Sequence, residues 1–471
     1  MRPVASKAGW LLTASVALLG GCSLAPDYQR PAMAAPAAFK ESAPWQAAAA
    51  TPPPAGKWWE TFGDPALDSL EAQIDAGNFD LAAASARYEQ ARSLVRQARA
   101  DLFPQIGVDA SVDRNRLSAN RPIGRGLAST QTDKIVGGSL AYELDLFGRV
   151  RNTIAAGRAN AHAAAFDVEG IRLGLQSQLA ATYFDLRGLD ARILLLRQTV
   201  DSFQRAFDLT NTRHSGGIAS GIDVSRAQAQ VSSARAELSS VEIDRAKDEH
   251  AIAVLVGEAP ATFSIPVADP QTRPPAIQPG LPSTLLERRP DIAAAERRVA
   301  AANAQIGVAR AAFFPNVTLG GQGGFESVGG DWLGAASSFW ALGPLQAALT
   351  VFDGGRRAAQ VRQARAQFDE AAATYRQTVL DAFREVEDDL ATQRLLVAGE
   401  VDQAAAAKAA ERTRDLALIR YRDGAADYLE VVTAQTAALD AERALLQVRT
   451  RQLQAAGDTF RALGGDFRAG K

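Results

Sequence analysis

The sequence predicts a mainly α-helical chain with a smaller β part, laid out as two internal repeats. Three observations predict it. Prolines cluster at residues 26–65 and 260–290, and none falls between Pro122 and Pro260 or after Pro344. Proline breaks helix interiors, so the two proline-free stretches can hold very long helices. Two pairs of shorter segments alternate apolar and polar residues with the period of a strand. Landmarks of the first half also recur in the second. Leu102-Phe103-Pro104 matches Phe313-Phe314-Pro315, and Asp80-Leu81 matches Asp291-Ile292, about 211 residues apart. Gly217 matches Gly424, and Ala227-Gln228 matches Ala434-Gln435, about 207 apart.

Taken in order, residues 1–21 carry Arg2 and Lys7, an apolar run from Trp10 to Leu19, and small residues, the pattern of a secretory signal. The run ends Leu19-Gly20-Gly21-Cys22, which resembles the bacterial lipoprotein cleavage box. In that box the cysteine becomes the acylated first residue of the mature chain. Cys22 is therefore the candidate lipidation site, bearing palmitate-type N-acyl and diacylglycerol groups, and no other cofactor is expected. Ser23 in place of Asp resembles the sorting rule that favours the outer over the inner membrane. Residues 22–57 read as a lipidated, extended linker, 58–257 as the first repeat, 258–283 as a proline-rich joint, 284–463 as the second repeat and 464–471 as a tail.

Within each repeat the order is helix, strand, strand, long helix, turn, helix. After Pro104, Ile106, Val108, Ala110 and Val112 alternate with Gln105, Gly107, Asp109, Ser111 and Asp113; after Pro315, Val317 and Leu319 alternate with Asn316, Thr318 and Gly320. The pairing strands are expected near 135–144 and 340–351, with external loops at 115–134 and 326–338. The long helices are expected over about 150–212 and 356–421, closed by glycine turns at 215–221 and 423–426. On the last returning helix Val432, Leu439, Leu446, Leu453 and Phe460 recur every seven residues. On its counterpart Val224, Val231, Leu238 and Ile252 do the same, with Arg245 interrupting and Ala227, Ala234 and Val241 on a second seam. Sustained heptads indicate supercoiled helix pairs.

After the signal, no run approaches the roughly 20 apolar residues of a spanning helix. A membrane crossing must then use β-strands. One apolar and one polar face is what a membrane barrel requires, although a half-buried soluble sheet shows the same alternation. Four strands per chain cannot close a barrel, so closure needs eight strands from a dimer or twelve from a trimer. Only the larger leaves room for a channel.

The net charge of −2 gives no bias toward nucleic acid. One cysteine forms no internal disulfide or thiolate cluster, and His162, His214 and His250 have no metal-ligand spacing, so no metal site is expected. There is no nucleophile elbow or phosphate loop, which argues against an enzyme. Gly320-Gly321-Gln322-Gly323-Gly324 is glycine-rich but leads to no helix, and reads as a flexible strand beside a lumen.

Several segments resemble, in order and across nearly the whole chain, the outer-membrane efflux protein family, in its lipoprotein NodT/OprM-like branch and more distantly its TolC-like one. They are Trp58-Trp59-Glu60-Thr61-Phe62-Gly63-Asp64, Tyr142-Glu143-Leu144-Asp145-Leu146-Phe147-Gly148-Arg149, and Leu285-Leu286-Glu287-Arg288-Arg289-Pro290-Asp291-Ile292 with Ala295-Glu296 behind. The resemblance implies a homotrimer in the outer membrane. Its twelve-stranded barrel would be continuous with a coiled-coil periplasmic tunnel. Such a duct works passively with a periplasmic adaptor and an inner-membrane pump, here expected to be of the RND type.

The resemblance also places function at the two helix-turn-helix tips. A periplasmic gate is implied for Asp223, Tyr421, Leu429, Glu430 and Thr433, and adaptor-contacting turns for Gly217, Ser220, Gly221, Gly424 and Asp427. Glu430 falls where TolC-like channels place a constricting carboxylate. Ala426 and Thr433 depart from that pattern at a gate arginine and a second gate aspartate, so the lock should be built differently, with Leu429 adding an apolar element. A plainer reading stands beside this one: Asp223 and Glu430 are first-turn acids favoured by the helix dipole. Two other functions stay open at the sequence level, an exit duct for type I protein secretion and a structural coiled-coil lipoprotein of the envelope.

Overall fold

The computed structural model describes residues 23–42, 57–116, 118, 120, 130–268, 272–275, 282–328 and 336–465. The signal segment, Cys22 and most of the expected tail lie outside the described residues.

Two helices, α1 (Pro65–Gly77) and α2 (Phe79–Ala100), precede strands β1 (Gln105–Arg116) and β2 (Thr130–Leu144), the long helix α3 (Arg149–Ser215) and the returning α4 (Gly221–Val256). The same order follows with α5 (Pro282–Arg288), α6 (Pro290–Ala311), β3 (Asn316–Val328), β4 (Phe339–Leu342), β5 (Leu345–Ala348), α7 (Arg356–Arg422) and α8 (Tyr428–Ala462). The 67-residue α3 and α7 slightly exceed their expected spans. None of the described helices is long and apolar enough to cross a membrane.

One correction concerns the fourth strand. The alternation expected over 340–351 is broken at Gly343-Pro344 into β4 and β5, both of which pair with β3. Pro344 has no N–H for the ladder, and Leu349 and Val351 fall beyond the last strand. The strands also eat into the expected loops, because β1 runs on to Arg116, β2 starts at Thr130 and β3 continues to Val328.

The chain forms two compact units, each drawing on both halves of the sequence. The first, made of residues 1–32, 87–165 and 294–376, holds the sheet, in which β1, β2 and β3 form an antiparallel meander. Salt bridges set the exits from the sheet into the long helices. Arg149 grips Glu143 through two bonds of 2.7 and 2.6 Å, Arg151 grips Asp145 at 3.0 Å, and Arg357 grips Asp353 at 2.6 Å. Phe147 stacks on Phe314 at 4.6 Å beneath the strands. Along this unit runs an N-terminal strap. Ser23 Oγ donates to Asn152, Arg310 donates to the carbonyl of Leu24, Asn303 to that of Pro26, and the Tyr28 hydroxyl donates to Glu296.

The second unit, made of residues 33–86, 166–293 and 377–471, holds the helix pairs and the aromatic start of the first repeat. Trp58 stacks on Phe460 at 5.5 Å, and Phe62 meets Phe184 at 4.8 Å. The heptad seam of α4 packs as expected, with Val231, Ala234, Val241 and Ile252 buried. On α8 the buried positions include Val431, Ala434, Gln435 and Ala438, together with the expected Leu439 and Leu453, while the expected Val432 is half-buried. Arg245, which interrupts the α4 heptads, is buried too. It bonds the fully buried Asp190 at 2.7 Å and Glu249 at 3.0 Å, and Arg187 closes on Asp190 at 2.8 Å. This network also holds the segment after α4, since Arg187 donates to the Pro266 carbonyl and Asp190 accepts from the Ala268 amide.

Candidate functional site

The two tips are built alike, and the sequence dictates how. Each long helix ends in a glycine at positive φ, Gly217 at 76° and Gly424 at 78°, a conformation that glycine adopts without steric cost. Each turn then feeds amides back to the helix end: Ile218 N–H to Arg213 O at 2.8 Å, and Ala425 N–H to Arg420 O at 2.7 Å. Each returning helix opens on an N-cap. Ser220 Oγ accepts from the Asp223 amide at 3.2 Å while Asp223 accepts from the Ser220 amide, a full capping box. Asp427 accepts from the Glu430 amide at 3.0 Å. The 207-residue offset thus aligns Ser220 with Asp427 and Asp223 with Glu430.

The expected gate residues divide into two groups. Asp223 gives one carboxylate oxygen to Ser220, and the other lies 3.9 Å from Arg226. Glu430 takes a salt bridge from Arg420 at 2.8 Å, and the same guanidinium donates to the Ala425 carbonyl. Leu429 is about half exposed. Thr433 bonds back to the Leu429 carbonyl of its own helix. These four lie on the surface of the tip, and none of their side chains bonds the side chain of another within the chain.

Tyr421 belongs to the second group, which the sequence reading largely missed. It is buried, packs edge-on to Tyr428 at 5.5 Å, and donates its hydroxyl to Thr210 of α3 at 3.2 Å. Arg213 of α3 lies 4.7 Å over the Tyr421 ring and donates to the Tyr421 carbonyl at 2.6 Å. Ala206, Ala227 and Val431 fill the space beneath. Burial, then the neighbouring Tyr421 and Asp223, push the Tyr428 phenol up to about 12, so it stays protonated. Arg213 therefore ties the first hairpin to the second, whereas its repeat counterpart Arg420 closes on its own hairpin. The helix dipole favours a cation at the end of each long helix, which made Arg213 and Arg420 legible as structural helix-ending residues, but not the difference in their reach.

The sheet is the other candidate surface. Paired residues of an antiparallel ladder share a face, so the register sorts the strands into two sides. One side carries Ile106, Val108, Ala110 and Val112 of β1, Val136, Leu140 and Tyr142 of β2, Val317, Leu319 and Phe325 of β3, and Phe339 and Leu345 beyond. Ile106, Val108 and Val112 are 78%, 81% and 70% exposed. The other side carries Asp109, Ser111, Asp113, Gln131, Asp133, Gln322 and Glu326. The glycine run expected to be flexible is fully laddered. A Cβ on Gly324 would meet the Val136 carbonyl oxygen at 2.3 Å, and one on Gly137 would touch the Trp340 ring at 3.5 Å. Gly324 thus lets β2 and β3 approach closely.

An open sheet with one apolar face and long paired helices with matched capped turns are the parts of a membrane channel protein. The model of the outer membrane efflux protein family matches residues 71–258 and 281–465. OprJ, an outer membrane protein of Pseudomonas aeruginosa, is 35% identical over 462 residues, spanning 96% of this chain and 95% of its own. The toluene efflux pump outer membrane protein TtgC of Pseudomonas putida is 33% identical, spanning 97% and 95%. The solved structure of the outer-membrane channel OprN is similar at a TM-score of 0.86 and 31% identity, covering 94% of this chain and 99% of that one. The chain belongs to the outer membrane efflux protein family and is the outer-membrane component of an efflux system.

Proposed function

We propose that three copies of the chain close their sheets into one twelve-stranded barrel, β1 of one copy pairing with the β4/β5 edge of the next. The barrel leads from a tunnel of the paired helices, and small molecules pass through it passively. The observation that carries this reading is the sheet itself. Among the described residues both of its outer strands lack a partner on one side, while one face is apolar from edge to edge. An open edge is not viable in lipid, and closure by like copies is the way such a sheet is satisfied. Leu395, Val397, Val401, Leu416 and Ile419 of α7 are about half exposed or more, which suits burial against neighbouring copies.

The tips are the resting gate. Glu430, Asp223, Leu429 and Thr433 of three copies converge there, with Tyr421 and Arg213 fastening the two hairpins of each copy. A periplasmic adaptor that engages the turns at Gly217, Ser220, Gly221, Gly424 and Asp427 opens it, and an inner-membrane pump of the RND type supplies the energy. Cys22 carries the lipid. The strap supports that anchor, since Leu24 lies at Arg310, one helical turn before the exposed Phe313 and Phe314 at the foot of the strands. The native mass of the detergent-extracted mature protein tests the whole. A trimer of acylated chains, with the lipid mass lost in Cys22→Ser, is expected; a monomer soluble without detergent would refute the barrel.

A further inference from the structure

The apolar face of the sheet ends abruptly toward the loops. Its last apolar row is Ala110, Val136, Phe325 and Phe339, with the two phenyl rings packed edge-on at 5.8 Å. The next rows outward on the same face carry Lys134 between Val112 and Ser327, then Arg114 opposite Thr132, then Arg116 opposite Thr130. Neighbouring strands lie about 4.8 Å apart and same-face residues about 7 Å apart along a strand. The three cations therefore share one small patch. Arg114 and Arg116 are exposed and Lys134 is half-exposed, and among the described residues none of the three is paired with a carboxylate. At the same height the opposite face carries Asp113, Asp133 and Glu326. The strands thus sort charge by side, with cations on the face that continues the apolar band and carboxylates on the other.

Passive conduction through a lumen explains nothing about cations on the outer face. The proposal rests on the barrel reading above. Between Leu144 and Val136 the apolar face spans nine residues of a strand. Tilted by about 40°, that length matches the roughly 25 Å apolar band of a membrane barrel. The aromatic row then marks the outer interface, and the next rows lie at headgroup level. We infer that Arg114, Arg116 and Lys134 form a site for the phosphate group of a phosphorylated lipid of the outer leaflet. The guanidinium forks and the ammonium would hold the phosphate oxygens by charge-assisted bonds, while the acyl chains lie along Val112, Val136, Phe325 and Phe339. Charge complementarity argues for this occupant. A protein partner would have to bring carboxylates to a surface that hydrocarbon borders on its other side.

The test uses the full acylated protein in detergent, titrated with a phosphorylated glucosamine-disaccharide lipid or with zwitterionic phosphatidylethanolamine, and read by native mass spectrometry. The wild-type trimer should retain the phosphorylated lipid in preference to the zwitterionic one. The triple variant R114Q/R116Q/K134Q should stay trimeric and lose at least about tenfold in retention, the scale of one charged contact. R114K/R116K should keep most of the binding, which guards against a folding artefact. Equal retention by the wild type and the triple variant, both trimeric, would overturn the site alone. Displacement of the lipid by an equimolar amount of inorganic phosphate would also overturn it, by showing a site for free anions. A wild type that is not trimeric would overturn the barrel reading, and the site with it.

Discussion

At the residue scale the tip is held by few groups. The Arg213 bond to the Tyr421 carbonyl is charge-assisted, and such bonds contribute about 1.5–3 kcal/mol. Arg213→Gln is therefore expected to shift the closed-to-open balance by about tenfold and to raise single-channel conductance in planar bilayers. Neutralising Glu430 and Asp223 together should raise it as well, by removing the carboxylates proposed to converge at the gate. Unchanged conductance would remove the gate role of the residues concerned. The Asp190 network makes a different kind of claim. Asp190→Asn leaves the buried Arg187 without its carboxylate and Arg245 with Glu249 alone, and should cost about 3 kcal/mol of stability, read as a lower denaturation midpoint. Sequence showed Arg245 only as a flaw in a heptad. That the flaw is an ion network depends on Asp190, 55 residues away, and no local pattern carries that information.

At the scale of elements, helices were more legible than strands. Proline-free length, heptads and paired caps are local signals, and they placed both long helices to within a few residues. The fourth strand misled because apolar alternation was read through Pro344, whose missing N–H should have divided it. The glycine run was legible as a strand, as β3 shows, but the role of its glycines was not. Composition reports freedom of the backbone, whereas Gly324 serves to admit the neighbouring strand. Gly324→Val should force β2 and β3 apart and abolish assembled oligomer on a native gel. Gly399, in the middle of α7, has open space where a Cβ would stand. Gly399→Ala should instead stabilise the chain by about 0.5–1 kcal/mol through helix propensity, seen as a higher Tm.

For the whole molecule, pH dependence should be set partly by one buried acid. Burial, then the carboxylates of Asp68 and Asp75, push Glu71 up from 4.5 to about 9, and among the described residues neither of its oxygens has a hydrogen-bond partner. The folded chain therefore keeps a proton that the unfolded chain releases. Below pH 4.5 both states are protonated and nothing is lost. As pH rises from there toward 9, stability falls, because the unfolded state binds fewer protons than the folded one. Glu71→Gln should flatten this slope and gain on the order of 2–3 kcal/mol at pH 8, measured as the difference in unfolding midpoint between pH 5 and 8. The expectation of oligomeric closure came from sequence alone, since four alternating strands leave edges. The grouping of the cations was not legible there, because only the register shows that Lys134, Arg114 and Arg116 share a face.

The N-terminal strap has a mechanical consequence. Its bonds run in reverse order along α6, from Leu24 at Arg310 through Pro26 at Asn303 to Tyr28 at Glu296. A pull on residue 22 along the axis of that helix strains all three at once, in shear. A pull away from the helix breaks them one after another, like a zipper. A tether laid down this way resists tension along one direction and yields easily across it.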